Sequence, residues 1–274
     1  MIRELAPAKV NLVLRIGPRA PNGLHEVCSL FASLDLADEV EVEPAAEDSV
    51  ECAGVEGPNL ALAAVERLRQ YAPSLPPMRV RITKRIPVAA GLAGGSADAA
   101  AVIRAANSYH ELPFDDEHLR EIAAPLGSDV PSQIVPAHSV VSGTGERVQR
   151  VELPPMALVL ATAEPGLATR DVFDKAVEMG LPRAGPLRCA DLHALAAEPA
   201  NVIAARLEND LQPATLRLRP ELAGTIEALL AAGALGAQVS GSGPTAFGLF
   251  GDEHSAAEAA AAVPGGIVTM VAGR

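Results

Sequence analysis

Apolar and polar side chains alternate with a period of two along much of the N-terminal half, a pattern typical of β-strands. The alternation is clearest in AKVNLVLRIG, SLFASLDLADEVEVEPA and MRVRITKRIPVA. We expect the first strand to end at Gly17 and the second stretch to form one or two strands. Pro21, Asn22 and Gly23 lie between these two stretches and predict a turn. The chain therefore begins with a strand, a turn and a further strand region.

Apolar residues take helical spacing in the segments that follow. One predicted helix begins near Asn59, a second runs from about Ser96 to Tyr109, and a third covers FDDEHLREIAAPLG with Asp115 as its N-cap. The next segment, GSDVPSQIV, predicts a tight and buried turn. The glycines of HSVVSGTGERVQRV predict an interrupted hairpin.

The composition changes near Val151, and strands and helices alternate from there to the end. Strands are predicted at MALVLAT, on both sides of Gly241–Gly243, and at GIVTMVA. Helices are predicted at LATRDVFDKAVEMG, DLHALAAE, VIAARLENDLQPAT, PELAGTIEALLAAGA and EHSAAEAAAAV. The sequence therefore predicts an α+β protein in two lobes, over residues 1–150 and 151–274.

Composition narrows the class of protein. The 274 residues are 49% hydrophobic and 20% charged, as in a soluble globular protein, and no apolar run is long enough to span a membrane. The N-terminus has no apolar signal-peptide core. A net charge of −12 argues against nucleic-acid or anionic-membrane partners. Cys28, Cys52 and Cys189 are odd in number and widely spaced, so we expect no disulfide scaffold, no metal site and a cytoplasmic protein.

The segment PVAAGLAGGSADAAAV places a cluster of glycines directly before a predicted helix. It predicts either an ordinary turn or a loop whose backbone N–H groups bind phosphate, as helix N-termini do. No Gly-Lys-Ser/Thr follows, so the segment is not a Walker A loop, and it lacks the context of a dinucleotide fingerprint. We expect Gly94 and Gly95 to need positive φ or close approach to phosphate. Asp98 is expected to complement the dipole of the helix.

Phosphoryl transfer also needs a proton acceptor and a cation, and two residues are candidates. Asp129, held in LGSDVPSQ, is either a base or the N-cap of a short helix. Lys9, one of only three lysines, is either the cation or a solvated residue at a strand end. Asn11 lies two residues further along and shares a strand face with Lys9. His25, which follows the PNG turn, is a surface histidine or a ligand-binding residue.

Three motifs, in this order, resemble those of the GHMP kinase superfamily, which includes galactokinase, homoserine kinase, mevalonate kinase and phosphomevalonate kinase. They are APAKVNLVL, PVAAGLAGGSADAA and VSGSGPTAFGLF. The further segments NGLHEV, KRIP, LGSDVP, GTGERV and NDLQP resemble the branch that phosphorylates the C2 hydroxyl of a cytidine diphosphate alcohol in isoprenoid precursor synthesis. The resemblance covers about residues 5 to 250. It implies a two-lobed GHMP kinase fold, with a ribosomal-protein-S5-like N-terminal lobe and a ferredoxin-like C-terminal lobe.

The same resemblance implies which residues bind ATP and where Mg²⁺ enters. The ATP loop would consist of Pro87, Val88, Ala89, Ala90, Gly91, Leu92, Ala93, Gly94, Gly95, Ser96 and Ala97. Asn59 and Lys84 would flank the adenine. Mg²⁺ is implied by ATP chemistry rather than by any motif of the chain. The partners would be ATP and the cytidine diphosphate alcohol, with the chain acting as a monomer or homodimer.

The substrate residues follow from the same resemblance. Asp129 would take the proton of the C2 hydroxyl while Lys9 steadies the charge. Asn11 would lie in the substrate pocket, His25 would read the cytosine edge, and Phe173 would stack on the base.

The chain departs from the family in three places, and these departures bear on how tightly it binds its substrate. Leu24 replaces an aromatic residue before the histidine, Ser132 and Gln133 follow SDVP where aromatics are usual, and VVSGTGERV differs in part from its counterpart. Two alternatives stay open: a GHMP kinase for homoserine or mevalonate, and a GHMP-fold protein that binds without catalysis.

Overall fold

A long antiparallel pair of strands organises the N-terminal lobe. The computed structural model describes residues 1–55 and 59–273. The strands of this lobe are β1 (Ile2–Arg19), β2 (His25–Pro44), β3 (Ser49–Cys52), β4 (Met78–Thr83), β5 (Ser139–Gly143) and β6 (Arg147–Arg150). Its helices are α1 (Leu60–Tyr71), α2 (Gly94–Tyr109), α3 (Asp116–Ala123) and α4 (Val130–Gln133). One face of the sheet is covered by α2, whose buried alanines belong to the same apolar cluster as Ala6, Val40 and Val42.

A second, antiparallel sheet lies in the C-terminal lobe. Its strands are β7 (Ala157–Ala161), β9 (Gly236–Val239), β10 (Ala246–Phe250) and β11 (Gly266–Met270), in the order β11-β7-β10-β9. The helices of this lobe are α5 (Thr169–Glu178), α6 (Ala190–Ala196), α7 (Ala200–Ala204), α8 (Gln212–Leu218), α9 (Leu222–Ala231) and α10 (Glu253–Ala262). The two-lobed α+β architecture predicted from the sequence is thus confirmed.

Several predicted elements are confirmed, and others differ where distant parts of the chain pair. Asn59 and Asp115 cap α1 and α3 as expected, through hydrogen bonds from the backbone N–H groups of Ala61 and His118. The strand β1 continues past Gly17, and β2 is a single strand, because the two remain paired along most of their length. The segment GSDVPSQIV contains the short helix α4 rather than a turn alone.

The predicted helix over VIAARLENDLQPAT is wrong in its middle. It is divided into α7 and α8 by a two-residue strand, β8 (Glu208–Asn209), which pairs in parallel with Val13 and Leu14 of β1. The Asn209 side chain donates to the carbonyls of Val239 and Gly241 at 2.9 and 2.8 Å. A segment of the C-terminal half therefore completes the N-terminal sheet, and the boundary near residue 150 stays a prediction.

The cysteines also differ from expectation. Cys28 in β2 and Cys189, just before α6, form a disulfide, whereas Cys52 is free. The two partners are 161 residues apart, and only the packing of α6 close to β2 brings them together, so their spacing in the sequence carries no signal. Within residues 1–55 and 59–273, no helix is both long enough and apolar enough to cross a bilayer.

Candidate active site

The two lobes meet around one large cavity, of about 940 Å³. Three distant segments come together at its floor through the glycine-rich loop before α2. Lys9 N donates to Leu92 O at 3.1 Å, Thr245 N to Ala90 O at 3.3 Å, and Ser240 Oγ to Gly91 O at 3.2 Å. Every residue predicted for the site lines this cavity except Ala97, which is fully buried in α2.

The glycine loop is held open toward the cavity by its backbone conformation. Positive φ occurs at Ala89, Gly91 and Ala93, and not at Gly94 or Gly95, so that part of the expectation is wrong. Gly91 is the sterically constrained glycine, because a Cβ there would lie 2.6 Å from Ser240 O. The left-handed residues of the loop are therefore Ala89, Gly91 and Ala93, and the two glycines at the start of α2 are not among them.

The N-terminus of α2 presents unpaired donors to the cavity. Its N-cap residue Ala93 makes no side-chain capping bond, and the first N–H with a helical acceptor is that of Ala97, to Ala93 O at 2.9 Å. The N–H groups of Gly94, Gly95 and Ser96 have no acceptor among the described residues. Such a helix end suits an anion, since its N–H groups and dipole both favour negative charge.

Gly95→Val tests whether this helix end binds the phosphates of ATP. A Cβ at Gly95 meets nothing closer than Leu60 Cδ1 at 3.9 Å, so valine fits the fold but fills the space in front of the N–H groups. We expect the KM for ATP to rise at least about tenfold with an unchanged melting temperature. Excluding a phosphate oxygen from these donors removes a hydrogen bond to a charged group, which is worth about 1.5–3 kcal/mol.

The matched control for that measurement is Gly224→Val, because Gly224 lies in the first turn of α9 with open space around it and outside the cavity. A folded Gly95→Val protein with an ordinary KM for ATP would mean that the loop is only a turn.

Lys9 and Asp129 form an ion pair in the same cavity. Asp129 Oδ2 is 3.3 Å from Lys9 Nζ, and the side chains are 34% and 5% exposed. Asp129 stands at the N-cap position of α4 but caps nothing, and Lys9 is buried, so the capping and solvated interpretations are both wrong. Lys9 also donates to Asn11 Oδ1 at 2.8 Å, which confirms their shared strand face, and lies over the Phe31 ring.

The chemistry open to this pair follows from its geometry. A carboxylate held at a fixed place, with a third of its side chain exposed to the cavity, can accept the proton of a bound hydroxyl. A buried ammonium beside it can stabilise the negative charge that develops in the transition state on the oxygens of the transferred group. The pair is therefore suited to transfer of a group to an alcohol.

His25 and Phe173 line another part of the same cavity. His25 is 9% exposed, so a surface position is excluded. Its Nδ1 lies 2.8 Å from Gly17 O, and because a carbonyl only accepts, Nδ1 carries the hydrogen. In the neutral imidazole Nε2 is then an acceptor, and it is buried without a partner among the described residues. The Phe173 ring stacks on His25 with centroids 5.5 Å apart, which leaves no room for a base between the two rings.

A buried charge cluster lies beside the N-terminus of α2, where Lys84 Nζ is 3.3 Å from the position that a Cβ would take on Gly94. Lys84 Nζ donates to Asp38 and, at 2.8 Å, to Asp98. Burial raises the pKa of Asp98 to about 6, although Lys84 acts in the other direction. Burial opposes the charge on Lys84, but Asp98 and Asp38 outweigh it and raise the pKa of the lysine. The expected role of Asp98 in complementing the helix dipole is wrong, since its carboxylate accepts a hydrogen bond from Lys84. Asn59 also lines this part of the cavity, and its side-chain oxygen caps α1.

Some cavity residues were not predicted, although their signal was present in recognised motifs. Ser242 lines the cavity from the VSGSGPT turn, and its Oγ lies 3.1 Å from the Thr169 hydroxyl at the start of α5. Gly145 of GTGERV has a φ of +114°, and a Cβ there would overlap the carbonyl of Ser128. This glycine therefore lets the β5–β6 turn approach the residue next to Asp129. Arg19 and Arg170 also line the cavity, and no motif had indicated them.

Comparison with known proteins agrees with this architecture. The N-terminal domain of GHMP kinases matches residues 59–136, and the C-terminal domain of GHMP kinases matches residues 191–266. The crystal structure of homoserine kinase from Cytophaga hutchinsonii is superposable with a TM-score of 0.74 at 19% identity, over 99% of this chain and 94% of that one. At this identity the likeness concerns the fold alone.

Closer relatives narrow the class. A protein of Pelotomaculum thermopropionicum named 4-diphosphocytidyl-2-C-methyl-D-erythritol kinase is 40% identical over 95% of this chain and 93% of its own length. One of the same name from Streptomyces coelicolor is 41% identical over 93% of this chain and 89% of its own length. The crystal structure of a 4-(cytidine 5'-diphospho)-2C-methyl-D-erythritol kinase gives a TM-score of 0.79 at 34% identity, over 99% of this chain and all of that one.

The chain therefore belongs to the GHMP kinase family, and it is a small-molecule kinase with ATP as its co-substrate. Within this family its sequence is similar to the 4-diphosphocytidyl-2-C-methyl-D-erythritol kinases over nearly its whole length.

Proposed function

We propose that this chain transfers the γ-phosphoryl group of ATP to the C2 hydroxyl of 4-diphosphocytidyl-2-C-methyl-D-erythritol, a step of isoprenoid precursor synthesis. The observation that carries the proposal is the Lys9–Asp129 ion pair, which lines one cavity together with an open helix N-terminus and a buried histidine nitrogen. The similarity to kinases of that name supports the choice of alcohol. Because the reaction consumes ATP, we propose that the protein acts in the cytoplasm. We propose that it acts as a monomer or homodimer.

ATP would place its phosphates on the N-terminus of α2. The N–H groups of Gly94, Gly95 and Ser96 would bind phosphate oxygens, with the loop from Pro87 to Ala97 shaping the space around them. The adenine would lie toward Asn59 and Lys84. Because Lys84 is already paired with two carboxylates, it would shape and polarise this end rather than neutralise phosphate.

Mg²⁺ would enter on the ATP phosphates, where it neutralises charge on the triphosphate. Among the described residues no group of three metal-binding side chains is present, and Mg²⁺ bound to nucleotides needs few protein ligands. The Ser96 hydroxyl fits such a role, because it lines the cavity beside the helix N-terminus without a partner in the described part of the chain. We propose Ser96 as the group that would hold the ion.

Asp129 would accept the proton of the C2 hydroxyl as the oxygen attacks the γ-phosphorus. Lys9 would hold the carboxylate in place and stabilise the charge on the equatorial oxygens, since positioning and electrostatics dominate phosphoryl transfer. Asn11 is tied to Lys9 and to Ser29 Oγ, so it would fix the lysine and bound alcohol from the side of β1.

His25 would select cytosine with its one free nitrogen. Because Nδ1 donates to Gly17, the ring offers Nε2 as an acceptor only, which suits the N4 amino group and leaves cytosine N3 to another donor. Phe173 would stack on the base from its own outer face or after rotation away from His25. Leu24 lines the cavity nearby and adds apolar surface in place of an aromatic ring.

A panel of alcohols tests the proposal. We expect kcat/KM with ATP to be at least about a hundredfold higher for the cytidine diphosphate alcohol than for homoserine or mevalonate, because neither of these alcohols carries the base or the diphosphate that the site would bind. The measurement is ADP release coupled to product detection for each alcohol. Preference for homoserine or mevalonate would overturn the substrate and leave the kinase family unchanged.

A further inference from the structure

The cations that line the cavity differ in how fully they are neutralised. Lys9 is paired with Asp129, and Lys84 is paired with two buried carboxylates. The remaining two, Arg19 and Arg170, form another kind of group. They share one carboxylate, that of Asp174, at 3.7 and 3.6 Å, and neither guanidinium has another hydrogen-bond or ion-pair partner within the described residues. This group therefore carries one excess positive charge.

Both arginines are placed beside the base-binding end. Arg19, at the end of β1, is the direct cross-strand partner of His25. Arg170 lies in the first turn of α5, three residues before Phe173, and Asp174 follows Phe173 directly. The two guanidinium groups thus approach the cavity from different lobes, one from the N-terminal sheet and one from a C-terminal helix.

A nucleotide substrate brings negative charge to this place. With a net charge of −12, the chain as a whole repels a diphosphate, so binding needs a local excess of cations. Guanidinium groups bind phosphate oxygens through paired, charge-assisted hydrogen bonds. The helix N-terminus is taken by ATP in the proposed function, and Lys9 and Lys84 are neutralised within the protein. The arginine pair supplies the uncompensated charge among the described lining residues.

We propose that Arg19 and Arg170 bind the diphosphate of the nucleotide alcohol and so bridge the two lobes around the substrate. The proposal rests on the proposed function, since it presumes a cytidine nucleotide at His25. When no substrate is bound, Asp174 holds the two guanidinium groups near the cavity. When the nucleotide alcohol binds, the guanidinium groups leave Asp174 and contact its phosphates. The arginines are thus specificity-determining residues for a phosphorylated alcohol, and they do not take part in the proton transfer.

The test compares cytidine with cytidine diphosphate as ligands of the full chain, in the absence of ATP, by calorimetry. We expect Arg170→Ala and Arg19→Ala each to raise the Kd for cytidine diphosphate about 3- to 10-fold, between the effects of an exposed ion pair and a charged hydrogen bond. The Kd for cytidine stays unchanged in both variants, because the nucleoside has no phosphate.

Lys175→Ala is the matched control. It removes a cation from the same helix, where Lys175 is paired with Glu178 and does not line the cavity, and it should leave both Kd values as they are. The KM for ATP should also stay unchanged in the two arginine variants, because in the proposed function the N–H groups at the N-terminus of α2 bind the phosphates of ATP.

Three results would overturn the proposal. An unchanged Kd for cytidine diphosphate removes the arginines from the site, and equal losses for cytidine and its diphosphate assign them to the base pocket. A rise in the KM for ATP alone assigns them to ATP. Failure of the unsubstituted chain to bind either cytidine compound is a separate result, because it overturns the proposed function itself and this inference with it.

Discussion

Asp129→Asn lowers kcat by about 10²- to 10⁴-fold, the usual contribution of a positioned general base. The amide keeps the size of the carboxylate, and its oxygen still accepts from Lys9 Nζ, which lies 3.3 Å from Asp129 Oδ2. The buried ammonium therefore keeps both of its hydrogen-bond acceptors, whereas alanine would leave it with Asn11 Oδ1 alone. We expect the KM values for ATP and the alcohol to change little, because the missing interaction belongs to the transition state. Steady-state kinetics measures both.

The control for this variant is Asp116→Asn, an exposed residue in the first turn of α3 that does not line the cavity. It should keep full kcat. If Asp129→Asn instead retains kcat within a few-fold while folded, the carboxylate serves the structure around α4, and another group accepts the proton.

The cytidine diphosphate alcohol is phosphorylated about 5- to 150-fold more efficiently than its uridine analogue. His25 Nε2 is a buried acceptor, so it pairs with the amino group of cytosine and faces a second acceptor in uracil O4. An unpaired buried polar group costs about 1–3 kcal/mol, and this range gives the expected ratio of kcat/KM values. Parallel assays of the two nucleotides with saturating ATP measure it.

Two variants separate the contributions to this preference. His25→Ala should bring the ratio close to one, while His254→Ala, an exposed histidine of α10 outside the cavity, should leave it unchanged. Phe173→Ala should weaken both nucleotides alike, because stacking of a base on an aromatic ring is worth about 1–3 kcal/mol whatever the base. Equal turnover of the two nucleotides by the unsubstituted chain contradicts the role of His25.

Local sequence patterns were sufficient to predict most elements of the fold. The predictions that failed concern places where contacts between distant segments determine the structure. The alternation of β1 and β2 and the caps at Asn59 and Asp115 depend on residues close in sequence. The split of the helix at Glu208 depends on pairing with β1, nearly two hundred positions away, and the Cys28–Cys189 bond spans 161 residues. No local pattern carries such information.

The candidate site shows the same division. Lys9, Asn11 and Asp129 were predictable because each lies in a recognisable motif, and the structure brings all three together. The positive φ values at Ala89 and Ala93 were not predictable, since alanine seldom adopts positive φ and the loop packs against residues 240–245, which are distant in the sequence. Arg19 and Arg170 were missed because a charged residue at the end of a strand or in a first helical turn is an ordinary surface feature.

The most direct test of the proposed reaction is to identify the product formed from ATP and 4-diphosphocytidyl-2-C-methyl-D-erythritol by phosphorus NMR. We predict one new phosphomonoester on the C2 oxygen, formed in step with ADP, and we predict that Asp129→Asn slows its appearance without changing its position. A phosphate on another hydroxyl, or release of inorganic phosphate with the alcohol unchanged, would contradict the proposed reaction.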